Sequence, residues 1–325
     1  MSDSKAGTKE ASVDALMRGA VDLHCHSGPS VMARLVDHID AVEEAAAAGM
    51  RAVLFKDHYY PTAPIVELIR ERYAHLGVEP LGAIVLNNAL GGFNAYAVEH
   101  ALKMGSKVVW MPTVSAANHI REGHNKKLLV AKSEMRRATA LSVVDEHGDL
   151  RDEVKPILDL VAEYDAVLSC GHLHISEVWP LFEEARRRGC NRLLVNHPTY
   201  TVGATVKDFP RLIELGVYIE HSICMFIDSR FKSFTPEQLK SYIDAAGVDR
   251  TFFGSDLGQT NNPSPVDGFR QIIGLLQQLG YGEEDIRKMV SLNAMRLAGL
   301  GANEAPALAK SALQKCVTKV RDKSA

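Results

Sequence analysis

Two histidines one residue apart, His24 and His26 in the segment Ala20-Val21-Asp22-Leu23-His24-Cys25-His26-Ser27, close a short apolar run. Side chains alternate with a period of two along a strand, so both imidazoles project from one face at the strand's end. Paired neutral imidazoles are half of a site for zinc or a related divalent ion, which takes nitrogen and oxygen ligands and keeps a position open for water. Taken alone, the pair reads equally well as one core and one loop histidine. Its partners decide.

The elements that would bring partners to it repeat along the chain: a β-branched run, a polar or glycine-rich loop, then an amphipathic stretch. Strand-like runs fall at 20–23, 52–55, 81–86, 107–111, 166–169, 192–195, 217–219 and 251–253, and helix-like stretches at 37–48, 63–75, 95–104, 152–163, 177–188 and 236–246. Gly49, Gly77, Gly105, Gly189, Gly216 and Gly247 stand where a left-handed C-cap is wanted before the next strand. Eight strands alternating with helices predict a parallel sheet closed into an α/β (β/α)8 TIM barrel. An open doubly wound sheet would carry a glycine-rich phosphate loop after its first strand, and none is present. The barrel is expected over 18–300, with a polar tail over 1–17 and a C-terminal helical tail over 301–325. The long loop after the fourth strand, 114–153, holds Arg121, Lys126, Lys127, Lys132, Arg136 and Arg137 and reads either as a lid or as a solvated insertion. Its 141–148 segment is expected to form a small hairpin around Glu146-His147-Gly148.

In such a barrel the C-terminal strand ends share one face, so polar residues distant in sequence converge there. In order, those ends offer His24 and His26; Lys56, Asp57 and His58; Asn87, Asn88 and then Asn94; Trp110 to Thr113; His172 and His174; Asn196 and His197; Glu220 and His221; and Asp256. Seven of the thirteen histidines fall at five of these ends. Closure puts Asp256 beside His24 and His26, where it could be both ligand and proton shuttle. A divalent ion there would lower the pKa of a water towards about 7 and polarise a substrate oxygen. Cys25 and Cys170 turn away by strand parity and read as core. Of Glu220 and His221, at most one faces the barrel centre, where it could orient a ligand. His174 reads as the start of a helix. His58, Asn88, Asn94, His119 and Gln259 are candidate substrate contacts, with Asn261 and Asn262 on the same loop as Gln259.

The order His24-x-His26, His172, His197, Asp256 resembles the metal-dependent amidohydrolase superfamily, whose members are (β/α)8 barrels with one or two divalent metals. Phe253-Gly254-Ser255-Asp256 and Asn293-Ala294-Met295-Arg296-Leu297-Ala298-Gly299-Leu300 look like segments of the branch containing aminocarboxymuconate-semialdehyde decarboxylase and related hydrolases. The resemblance spans about residues 20 to 300. It implies one metal on His24, His26 and Asp256, and His172 and His197 on a second metal or on substrate. Zinc is the expected ion, manganese or iron the alternatives. One departure matters: binuclear relatives bridge their metals with a carboxylated lysine or a glutamate from strand four, which here ends in Trp110-Met111-Pro112-Thr113, while Lys107 opens that strand on the wrong side. Lys56 on strand two could bridge if carboxylated, or hold a substrate carboxylate as an ammonium.

Bulk properties fit a soluble enzyme of small molecules. Of 325 residues, 46% are hydrophobic and 24% charged, and the net charge of -3 argues against nucleic acid as a partner. No apolar run approaches the roughly 18 residues that span a bilayer. Five scattered cysteines without a Cys-x-x-Cys pair suit reduced thiols, and the polar start lacks a secretory signal, so a cytoplasmic homo-oligomer is expected. The expected activity is metal-dependent hydrolysis of an amide, lactam, lactone or related carbonyl bond in a small anionic molecule. Non-oxidative decarboxylation or phosphoester hydrolysis would use the same site; a non-catalytic binding barrel is the third reading.

Overall fold

Each of the eight apolar runs forms a strand in the computed structural model, which describes residues 11–123 and 131–301. The strands are β1 (Val21–Cys25), β2 (Ala52–Phe55), β3 (Glu79–Val85), β4 (Ser106–Trp110), β5 (Val167–Ser169), β6 (Arg192–Asn196), β7 (Val217–Ser222) and β8 (Thr251–Gly254). They lie in sequence order in one sheet, and every neighbouring pair is parallel. Helices alternate with them: α1 (Val13–Met17), α2 (His38–Ala47), α3 (Ala63–Tyr73), α4 (Ala95–Lys103), α5 (Ala117–Glu122), α6 (Lys155–Glu163), α7 (Ile175–Arg187), α8 (Phe209–Glu214), α9 (Pro236–Ala246), α10 (Pro265–Gln278), α11 (Glu283–Arg287) and α12 (Asn293–Ala298). This is the (β/α)8 barrel.

Strands buried on both faces must be apolar on both, and the two sets separate cleanly. Leu54, Val108, Leu194 and Phe252 point inward and pack with Ala294 and Leu297 of α12. Val53, Phe55 and Phe253, and on the other side Ile84, Val109, Leu168 and Ile219, point outward against the helices. Strand β1 breaks this alternation. Val21 and Leu23 are inward while Cys25, of the same parity, packs in the outer core. A register shift between Asp22 and Cys25 accounts for the change, as a bulge does, and it turns His24 and His26 toward the centre.

No ladder joins β8 to β1 directly; the segment after β8 does so. Asp256 N donates to His24 O at 2.7 Å and His26 N to Leu257 O at 2.8 Å. Asp22 Oδ1 accepts from both His24 N and Ser255 N at 2.9 Å, and Ser255 Oγ donates to His24 O. Barrel closure and site assembly are one set of hydrogen bonds.

Three expectations change. The polar tail does not reach residue 17: Val13–Met17 is a helix capped by Ser12, with Leu16 and Met17 buried in the outer core. Helices α8, α10 and α11 fall where the sequence pattern marks none, although Ser264-Pro265 supplies an N-cap and a first-turn proline for α10. The long loop contains α5, and its expected hairpin is a single antiparallel bridge, Val144 to Leu150. The expected C-terminal helical tail beyond Gly301, and Lys126 and Lys127, lie outside the described residues. Among those described, no helix is long and apolar enough to cross a membrane.

Gly254 is a tight point of the seam: a Cβ there would sit 2.7 Å from His24 Cβ and 3.0 Å from Glu220 Cδ. Gly254→Ala is expected to cost ~1–3 kcal/mol by overpacking. Thermal denaturation reads that loss, and metal titration of the same variant should show weaker uptake because His24 is displaced.

Candidate metal centre

His24, His26 and Asp256 form the one group of at least three ligand-type side chains, among the described residues, whose donor atoms lie within 4.8 Å of one another. Asp256 Oδ1 is 3.3 Å from His24 Nε2 and 3.0 Å from His26 Nε2. The protons on these rings are assigned by their other nitrogens. His26 Nδ1 contacts the carbonyl of Lys56 at 3.0 Å, and a carbonyl can only accept, so Nδ1 carries the hydrogen. His24 Nδ1 donates to Glu220 Oε1 at 2.7 Å, an oxygen that also accepts from Ser222 Oγ at 2.9 Å. Burial drives the pKa of both rings down, His24 to about 3 and His26 well below its usual range, so both are neutral. Two imidazole lone pairs then converge on a carboxylate oxygen. Electron-rich atoms facing one another at 3.0–3.3 Å call for a cation between them, and a neutral Nε2 with its Nδ1–H anchored on a carboxylate or carbonyl is the usual state of a metal-binding histidine. The residues fit a divalent ion.

Lys56 joins them from β2. Its Nζ donates to His24 Nε2 at 2.9 Å and lies 3.9 Å over the Trp110 ring. Burial pulls this ammonium down to about 8 and, from the opposite side, pushes Glu220 up. The ammonium and a divalent ion would compete for that one lone pair, so an ion held by His24 would release Lys56.

Around this group opens a pocket of about 600 Å3, its mouth included, lined by eight of the expected residues: His26, Lys56, His58, His119, His172, His197, Asp256 and Gln259. His172 and His197 form its wall outside the three-residue group. His197 Nε2 accepts from Asn196 Nδ2 at 2.8 Å, which occupies that lone pair. The Thr113 hydroxyl, already an acceptor for Asn87 Nδ2 at 2.7 Å, meets His58 Nδ1 at 2.8 Å. Asp256 and His197 are two of four described non-glycine residues with positive φ, at 49° and 32°; such backbone is costly and gathers at functional sites.

Asn88 and Asn94 do not line the pocket. Asn94 caps α4, accepting from Ala97 N and donating to Leu90 O, and Asn88 Oδ1 accepts from Thr139 N. Both amides serve the backbone where the chain turns out of β3. His174 likewise caps α7. Asn262 accepts from Arg230 N. Of the β7 pair, Glu220 faces inward and His221 packs outward with Tyr242 and Phe253. Val114, Tyr200, Thr201, Cys224, Met225 and Phe231 complete the pocket. Tyr200 and Thr201 come from one π turn, Pro198–Val202, which no pattern in the sequence marks.

Two outcomes test this centre. Zinc at one hundred times its Kd should stabilise the protein by about 2.7 kcal/mol, a shift that His24→Ala abolishes in a thermal melt. Glu220→Gln should weaken zinc binding by ~10–100-fold, because the carboxyl that orients His24 through Nδ1 is replaced by a weaker acceptor; competition against a chromogenic chelator measures it.

The comparisons with other proteins agree on architecture. A model of a family of unknown function, DUF6282, matches residues 19–220, more than half the chain. No curated protein matches the sequence. Among solved structures, an amidohydrolase from Pseudomonas aeruginosa superposes with a TM-score of 0.60 at 12% identity, covering 89% of this chain and 98% of its own. The probable dipeptidase PvdM from the same organism gives 0.58 at 9%, covering 88% and 96%. A triple mutant of an organophosphorus hydrolase from Deinococcus radiodurans gives 0.54 at 14%, covering 89% and 95%. At these identities the likeness is one of fold.

Proposed function

This chain belongs to DUF6282, a family of unknown function, and we propose that it is a metal-dependent hydrolase acting on an amide, lactam, lactone or related carbonyl bond of a small molecule. The observation that carries the reading is the convergence of two buried, neutral imidazole lone pairs on the Asp256 carboxylate at the floor of an open pocket. His24, His26 and Asp256 would hold the ion. A divalent ion there supplies Lewis-acid polarisation of the substrate oxygen and a water of lowered pKa.

The remaining chemistry belongs to side chains of this chain. Asp256 is the most exposed member of the group, at 16%. One carboxylate oxygen faces the imidazoles, and the carboxylate as a whole is placed to take a proton from water and return it to the leaving atom. Glu220 and the Lys56 carbonyl hold the two rings in their tautomers. Val114, Met225 and Phe231 supply the apolar part of the wall, which limits bulk water and strengthens the polar contacts inside. The other lining groups, His58, His119, His172, His197, Tyr200 and Thr201, carry no cation that an anion would need. Of Lys and Arg among the described residues, only Lys56 lines the pocket, where it lies over Trp110 and would be released from His24 Nε2 by a bound ion. The expectation of an anionic substrate rested on Lys56 and on the basic loop; Arg136 and Arg137 of that loop are exposed and line no part of the pocket. A negative charge on the carbonyl compound would accordingly be met, among the described lysines and arginines, by Lys56.

Protein purified without added metal, assayed for metal content and against cyclic amides, lactones and aryl carboxylates, tests the reading. Bound divalent metal and ring opening are expected, and Asp256→Asn should lower kcat by at least about 100-fold with the fold intact. A metal-free protein, or an active Asp256→Asn variant, would overturn it. Release of carbon dioxide from the aryl carboxylates would instead assign decarboxylation.

A further inference from the structure

The pocket has two unlike sides, and the strand order places them. In a ring of eight strands, the loops after β6 and β7 stand across from those after β2 and β3. Lys56 and His58 follow β2, while His119 and His172 follow β4 and β5. The loop after β7 brings side chains of another kind, Cys224, Met225 and Phe231, and the π turn after β6 adds Tyr200. The metal group sits on the seam between β8 and β1, between these two sides.

The apolar side is fixed by its own backbone. Met225 O accepts from Ser233 N at 2.9 Å and from Phe234 N at 3.2 Å, which closes the loop on itself. Phe231 is held between two serines: its N donates to Ser229 Oγ at 3.0 Å and its O accepts from Ser233 Oγ at 2.7 Å. Cys224 N donates to Ser255 O at 3.2 Å and Arg230 N to Asn262 Oδ1 at 3.0 Å, so the loop is tied to the chain on either side of Asp256. Against Tyr200, Phe234 stands edge-on at 6.4 Å and is itself stacked on Phe226 at 5.4 Å. The wall and the metal group are therefore held in one register.

Tyr200 and Phe231 pack against the outer core and stay half-buried where they line the pocket. Surface of this kind is matched by a ring. Aromatic groups meet offset or edge-on, and a thioether such as that of Met225 makes favourable contacts with a ring's edge. An alkyl chain could bury comparable area but would lose its own rotors on binding, whereas a flat ring against a preformed wall loses none. The space, about 600 Å3 with its mouth, is that of a small-molecule site. We propose that the carbonyl compound taken by this pocket carries, or is fused to, an aromatic ring, which seats on Tyr200, Met225 and Phe231 while the carbonyl faces His24, His26 and Asp256. Polar substituents of the ring are left to the side of Lys56 and His58. Opening of the carbonyl rests on the hydrolytic reading; the seat for the ring does not.

Matched pairs of small molecules test the seat. Phthalide and γ-butyrolactone are one five-membered lactone with and without a fused benzene ring, and isoindolinone and 2-pyrrolidinone are the corresponding lactams. Ligand-observed NMR titration of the protein, with and without zinc, should give the ringed member of each pair a Kd lower by at least about 10-fold. Phe231→Ala and Tyr200→Ala should each bring that ratio below about threefold, with zinc uptake retained. Phe231→Leu keeps an apolar side chain on the outer core, so the loop stays folded while the ring is lost; it should also lower the ratio, and Phe231→Tyr should restore it. Equal affinity for both members of a pair, or a wild-type ratio in both Phe231→Ala and Phe231→Leu, would overturn the proposal. Binding of phthalide without its opening would sink the hydrolytic reading and leave the ring seat standing.

Discussion

The barrel has seven parallel ladders and one seam, and the seam carries the candidate metal group. Between β8 and β1 the usual strand pairing is replaced by Asp256 N on His24 O, His26 N on Leu257 O and the Asp22 carboxylate bridging His24 N and Ser255 N. Each residue of the metal group is thus a closure residue or its neighbour, and any change that loosens the site also loosens the barrel. The bulge in β1 is part of the same constraint. Without the register shift, the parity that sends Leu23 inward would send His24 outward.

Electrostatics follow from that placement. A carboxylate, an ammonium and several imidazoles lie in the barrel mouth with almost no water contact, so each pays for desolvation and is held in the state its neighbours favour. The imidazoles stay neutral, Lys56 is stabilised over Trp110 and against His24 Nε2, and Asp22, whose burial raises it to about 6, is held by backbone amides. Neutral rings with anchored Nδ1–H groups offer lone pairs, and lone pairs are what a divalent ion needs. The two carboxylates differ in task because they differ in depth: Glu220 is sealed behind His24, while Asp256 reaches the pocket.

Much of this was legible in the chain. Alternating apolar runs gave the strand count and thereby the barrel, and the barrel placed residues as distant as His24 and Asp256 side by side. Parity within β7 limited the choice to Glu220 or His221; the inward Tyr218 and outward Ile219 show why it fell on Glu220. Other parts were hidden for physical reasons. Asn88 and Asn94 have the residue type of a substrate contact, but a side chain beside a helix start is claimed by unpaired backbone groups first. Tyr200, Cys224 and Phe231 reach the pocket from irregular turns, whose direction depends on tertiary contacts rather than on a period. Leu16 and Met17 lay beyond sequence reading for a related reason: a five-residue helix has little pattern of its own and is held by what it packs on.

At the C-terminal end of the barrel, the loop after β1 and the long loop after β4 are stitched together. Met32 bridges Ala131 in antiparallel fashion, with Lys132 N donating to Val31 O at 2.9 Å, and Arg34 bridges Gln259 on the loop after β8. Three loops, those after β1, β4 and β8, are therefore joined by backbone pairs. A shift in any one of these loops is therefore passed to the other two through backbone pairs and needs no side chain to carry it.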